Sequence, residues 1–113
     1  MSKITTHILD VSAGKPASGV NVILSRLTND ENWENIAHGI TNEDGRIPGL
    51  LPEGSFLSLG TYRLHFSTGA YFQNLNTDCF YPFIEVVFDI KDTKHHHVPL
   101  LLSPYGYSTY RGS

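Results

Sequence analysis

The chain is short of most features that mark a specialised environment. It has a single cysteine, Cys79, which excludes an intramolecular disulfide and a cysteine-based zinc site. It has no excess of positive charge: 8 Lys and Arg stand against 11 Asp and Glu, giving a formal net charge of −3 and a pI near 6.0. Such a chain has little with which to neutralise a phosphate backbone, so nucleic acid is not an expected partner. Apolar runs last only a few residues, against the roughly 20 that a membrane span needs, so no membrane partner is expected either. The stretch MSKITTHILDVSAG lacks the apolar segment of a secretory signal, and YRGS is not the SKL peroxisomal address. A reduced, cytoplasmic location is the expectation.

What is present suffices for one domain spanning residues 1–113. At 12.6 kDa, the scaling of surface with mass gives about 6,200 Å² folded against about 18,000 Å² unfolded. That is a real core. The 40% hydrophobic and 17% charged contents exclude intrinsic disorder.

Short alternating runs dominate. Lys3–Val11 sets Ile4, Thr6 and Ile8 on one face and Thr5, His7, Leu9 and Val11 on the other. Gly14, Pro16 and Gly19 punctuate a turn before a second run, with Val20, Val22 and Leu24 opposite Asn21, Ile23 and Ser25. Further strands are expected over Trp33–Ile40, Thr61–Ser67, Phe83–Ile90, His96–Leu102 and Tyr105–Tyr110. Ile47–Gly54, with two prolines and two glycines, reads as a short edge strand or a loop. Gly69–Asn76 is the one expected helix. About seven or eight strands separated by turn signals predict an all-β, two-sheet antiparallel sandwich.

Six histidines draw attention. His38 and His65 sit singly among strand residues and read as surface positions. In the run His95-His96-His97, the pleat sends His95 and His97 to one side, with Pro99 and Leu101, and leaves Val98, Leu100 and Leu102 on the other. His7 likewise stands on the second face of its strand. Neither second face is plainly solvated, since Leu9, Val11 and Leu101 share them, and a semi-apolar face outside the core is usually covered by another subunit. Two imidazoles on such a face suit acid–base chemistry near neutral pH. Arg46, after the tight Asp44-Gly45 turn, reads as a solvated turn residue or as a guanidinium presented to a planar anion.

His7-Ile8-Leu9-Asp10, Asp44-Gly45-Arg46 and the stretch His97–Ser113 (HVPLLLSPYGYSTYRGS) resemble the transthyretin-like 5-hydroxyisourate hydrolases, and the resemblance covers essentially the whole chain. SPYGYST and Leu9-Asp10 are shared with transthyretin, the thyroid-hormone carrier, so they mark the superfamily alone. Four features separate the branches: His7, Arg46, His97 and Tyr110-Arg111-Gly112-Ser113 all match the hydrolases. The carriers place lysine, glutamate, threonine and a small-residue tail there.

The resemblance implies an eight-stranded sandwich with one short helix, assembled as a homotetramer whose sites lie at the dimer–dimer interface, with no cofactor and no metal. It implies hydrolysis of 5-hydroxyisourate to 2-oxo-4-hydroxy-4-carboxy-5-ureidoimidazoline in urate degradation. In that reading His7 and His97 form the acid–base pair, with the order between them open. Arg46 binds substrate oxygens and stabilises negative charge, Tyr110 and Ser113 close the pocket, and Arg111 contributes through its backbone or side chain. Cys79 lies outside these residues and reads as packing. Three other readings stand beside it: a carrier of a small aromatic ligand in the same channel, a zinc site using His7, His95 and His97, and a plain interaction sandwich.

Overall fold

The computed structural model describes residues 3–55 and 57–112. Strand β1 (Lys3–Asp10) buries every second residue, Ile4, Thr6, Ile8 and Asp10, and leaves Thr5, His7 and Leu9 half-buried. Strand β7 (His95–Ser103) buries His96, Val98, Leu100 and Leu102 in the same way and leaves His97 and Leu101 half-buried, but Pro99 between them is also buried. These two strands pair along their length, Thr5 opposite His97 and His7 opposite Pro99. The two-sheet, antiparallel-rich sandwich is as expected; this pairing among the described strands is the parallel exception. Period-two alternation is the same in both kinds of ladder and carries no strand direction.

A two-residue strand β2 (Lys15–Pro16) pairs with Leu9 and Asp10 inside the stretch expected to be only a turn. Strand β8 (Gly106–Thr109) returns antiparallel along β7, completing a sheet ordered β2-β1-β7-β8. The second sheet, ordered β4-β3-β5-β6, is antiparallel throughout and consists of β3 (Asn21–Leu27), β4 (Trp33–Ile40), β5 (Gly60–Phe66) and β6 (Ile84–Ile90). A register shift between Leu24 and Ser25 turns both of these neighbours inward, where strict alternation had put Ser25 outside. The buried hydroxyl is satisfied by donating to Asn35 Oδ1 at 2.8 Å. Ile47–Gly54 forms turns rather than a strand.

The core lies between the sheets: Ile4, Ile8, Leu100 and Leu102 from one meet Val22, Leu24, Leu64 and Phe66 from the other, each essentially inaccessible. Burial of one such side chain stabilises the fold by about 1.5–3 kcal/mol. The helix α1 (Thr68–Asn74) is tied to the end of β1 by Tyr71, whose hydroxyl donates to Asp10 Oδ2 at 2.7 Å. Asp10 also accepts from Ser12 Oγ and the Ala13 N–H. Burial pushes its carboxyl up, but these donors outweigh burial and hold it below the ordinary aspartate value.

Candidate active site

The outer face of the β2-β1-β7-β8 sheet carries Thr5 and His7 from β1 and His95 and His97 from β7, because all four occupy the non-core positions of their strands. Arg46 reaches the same face through a turn that the local sequence builds. Asn42 Oδ1 accepts the N–H groups of Asp44 and Arg46, and the Gly45 N–H bonds back to the Asn42 carbonyl. Gly45 has φ +73°, and a Cβ there would fall 2.3 Å from the Ile8 carbonyl oxygen. Only glycine permits both that backbone angle and that approach. The Ile8 N–H then bonds Gly45 O at 2.9 Å, and Arg46 lies in a β-bridge opposite His7.

The chain returns to this face at its far end. The Gly112 N–H donates to the His97 carbonyl at 2.8 Å, extending the β7–β8 register beyond the named strand. A Cβ on Gly112 would lie 2.5 Å from Cδ2 of the His97 ring, so the terminal glycine lets the tail back directly onto the imidazole. On the other side of that ring, Nδ1 lies 2.8 Å from Thr5 Oγ1, and the same oxygen lies 2.6 Å from His95 Nε2. Burial, then the charge of Arg46 and the neighbouring His95 and His7, hold the His97 pKa below its ordinary 6.5. His97 is therefore a neutral imidazole at pH 7, with Nε2 as the ring nitrogen left for substrate.

The structure thus brings together His7, Arg46 and His97, with the Gly112 backbone alongside. It does not bring the Arg111 side chain with them. Tyr110 and Arg111 line a cavity of 210 Å³ with Val86, Phe88, His96 and Val98, toward the β6 and β8 edges. Asp92, held below the usual carboxylate value first by the Lys94 N–H, also feels the Arg111 and His96 charges. Ser113 lies outside the described residues. Of the remaining histidines, His65 bonds Glu85 at 2.9 Å and stacks on Phe83, His38 lines a shallow cavity against β3, and His96 is buried. Among the described residues no three of His, Cys, Asp and Glu are grouped as metal ligands would be. Cys79 packs at the edge of the core, its Sγ 3.5 Å from the Tyr81 carbonyl.

Sequence reasoning missed Thr5 altogether and weighed His95 only as a zinc ligand. Alternation put Thr5 on the His7 face, but its place between two imidazoles depends on the register of β1 against β7, which alternation does not encode.

A geometry of two imidazoles, a guanidinium and a backed-on tail can move protons and hold an anion at one place. Comparison with known proteins agrees with the direction of that chemistry. Residues 4–112 match the HIUase/Transthyretin family. The chain is 49% identical over 114 residues to the 5-hydroxyisourate hydrolase of Mus musculus, covering 99% of this chain and 96% of that protein. The solved 5-hydroxyisourate hydrolase of Klebsiella pneumoniae is 41% identical with a TM-score of 0.85, covering 97% of this chain and 98% of its own. Sea bream transthyretin, solved with thyroxine, is 38% identical with a TM-score of 0.90, covering 96% and 93%. Backbone likeness therefore joins both branches, and the side chains of the outer face must separate them.

Proposed function

The chain belongs to the HIUase/Transthyretin family, and from that premise we propose that its outer-face site hydrolyses 5-hydroxyisourate to 2-oxo-4-hydroxy-4-carboxy-5-ureidoimidazoline, a step of urate breakdown. The observation that carries the reading is the meeting of His7, Arg46 and His97 on one sheet face. Hydrolysis of a cyclic acyl–nitrogen bond has three needs: a base for the attacking water, a partner for the oxyanion, and a proton for the departing nitrogen. A neutral His97 supplies a base at pH 7. His7, two positions from Thr5 on the same face, is the second imidazole and orients the attacking water. Arg46 is exposed and opposite His7, so its planar fork can hold the substrate oxygens and the charge that develops on them.

No serine or cysteine nucleophile and no cofactor is needed for these steps. Tyr110 and Ser113 are assigned to closing the pocket by their family positions, although within one chain Tyr110 lines the cavity beside β6. Arg111 acts through its backbone, because its side chain is turned toward the Asp92 side of the sheet. The site is completed by assembly into a homotetramer across the outer face, at the dimer–dimer interface. Support comes from the apolar side chains there, Leu9 opposite Leu101 in register and Val11 exposed beside them. A cytoplasmic location fits the unpaired cysteine, and among the described residues no helix is long and apolar enough to cross a membrane.

The test is an absorbance time course with 5-hydroxyisourate generated freshly from urate and urate oxidase. Wild-type protein should accelerate the decay, and His97→Ala should lose about 10²–10⁴-fold in kcat. Absence of any acceleration, together with tight thyroxine binding, would move the chain to the carrier branch.

A further inference from the structure

We propose that Thr5 is a positioning residue that relays protons between His97 and His95, a role that rests on the hydrolytic reading above. The observation is a single hydroxyl shared by two imidazoles: Thr5 Oγ1 lies 2.8 Å from His97 Nδ1 and 2.6 Å from His95 Nε2. The two rings are tilted, with centroids 6.2 Å apart, so they meet through the hydroxyl rather than by stacking. A threonine hydroxyl has one proton to give and lone pairs to receive. When it donates to one ring it must accept from the other. The hydroxyl can also accept from both rings at once, but only the two arrangements in which it donates to one ring and accepts from the other couple the tautomers of His95 and His97.

In the first arrangement Thr5 donates to His95 Nε2 and accepts from His97 Nδ1–H. His97 Nε2 is then bare and can take a proton from the attacking water as the new O–C bond forms. The Nδ1 proton passes to Thr5 Oγ1 as the threonine's own proton passes to His95 Nε2. His97 returns to neutral with Nε2–H, and His95 carries the charge. In the second arrangement the flow reverses. His97 Nε2–H protonates the ring nitrogen as the C–N bond breaks, Thr5 donates to Nδ1, and His95 gives its proton back. No proton is gained or lost over the cycle.

Exposure sets the direction. Within one chain His95, at the start of β7, is exposed, whereas His97 and Thr5 are half-buried, so a charge costs less on the outer imidazole. The charges facing the relay are Arg46 and His7 beside His97, and Lys3 opposite His95 in the strand register. The tail contributes only the Gly112 backbone, since Arg111 turns to Asp92. Arg46 and His7 both favour moving positive charge off His97 and outward.

The experiment compares Thr5→Val, Thr5→Ser and His95→Gln with wild type in the 5-hydroxyisourate decay assay, in H₂O and D₂O. Valine keeps the shape and removes the hydroxyl, while glutamine bonds Thr5 but takes no proton. Thr5→Val and His95→Gln are expected to lose roughly 10–100-fold in kcat, part of what one acid–base group supplies, with KM within about twofold. Thr5→Ser should restore turnover. The curved dependence of kcat on deuterium fraction in wild type should become linear in Thr5→Val. Nitrogen-15 shifts of His97 should change in Thr5→Val even without substrate. Wild-type kcat in Thr5→Val or in the exposed-site variant His95→Gln, or no rescue by serine, would overturn the relay. If wild type itself does not accelerate decay, the hydrolytic reading fails instead, and unchanged His97 nitrogen shifts in Thr5→Val would separately remove the Thr5 contact.

Discussion

At His97 one ring is held from three directions: the Thr5 hydroxyl on Nδ1, the Gly112 backbone against Cδ2, and the Arg46 charge across the face. Its folded pKa lies below the ordinary 6.5 because burial and then Arg46, His95 and His7 disfavour the imidazolium. Between that folded value and 6.5 the unfolded chain binds more protons than the native one. The stability His97 contributes is therefore complete above 6.5 and is lost as pH falls through the folded value. In the proposed mechanism the neutral ring is the base, so the rate should follow the same sign. In Arg46→Ala one of the depressing charges is gone, so an NMR titration of His97 should move upward toward 6.5. A midpoint that stays put or moves down would show that the guanidinium does not face this ring. The placement of His7, Arg46 and His97 on one face follows from strand alternation and the Asp44-Gly45 turn, and their proposed roles follow from matching family positions. Thr5 was not legible in the sequence, because a threonine in a strand is ordinary until its cross-strand neighbours are known.

Among the elements, the Asn42–Arg46 turn does the most to build the site, because it joins β1 through one hydrogen bond and one missing Cβ. Gly45→Ala should cost more than the about 1 kcal/mol of an ordinary turn substitution, since the added methyl meets the Ile8 carbonyl as well as a positive φ. Arg46 should also leave its place opposite His7. Denaturation should show the loss of stability, and kcat at a temperature where the variant remains folded should fall with it; full activity there would mean Arg46 is positioned by something other than the turn. Alternation made β1 and β5 readable down to which residues are buried; in β6 it found the face but only Ile84 and Ile90 are fully buried, and in β7 Pro99 is buried against expectation. It failed where the chain departs from period two, at the Leu24–Ser25 shift, and where an element is too short to have a period, at β2. The helix was placed correctly, but it ends at Asn74; Asn76, with φ +53°, lies in the turn that follows.

For the whole molecule, the outer face of β1 and β7 is proposed both as the site and as the surface of assembly, so the two should fail together. Leu101→Arg puts a charge opposite Leu9, and burying it unpaired between subunits would cost several kcal/mol. Light scattering should show smaller particles, circular dichroism should keep the sheet signal, and turnover should fall although no histidine has changed. A tetramer with full activity would place the subunit contact elsewhere. The parallel ladder that carries this face also has a consequence in time. Thr5 and His97 are 92 positions apart in the chain, and pairs so distant in sequence close late and slowly, after the loop between them has lost its freedom. On a ribosome the β7-facing edge of the first strand must wait, although β2 and the Gly45 carbonyl already pair its other edge, until residues 95–103 have emerged. The face proposed to carry the chemistry cannot form before β7 is made, so a nascent fragment that stops short of residue 95 lacks the proposed active site.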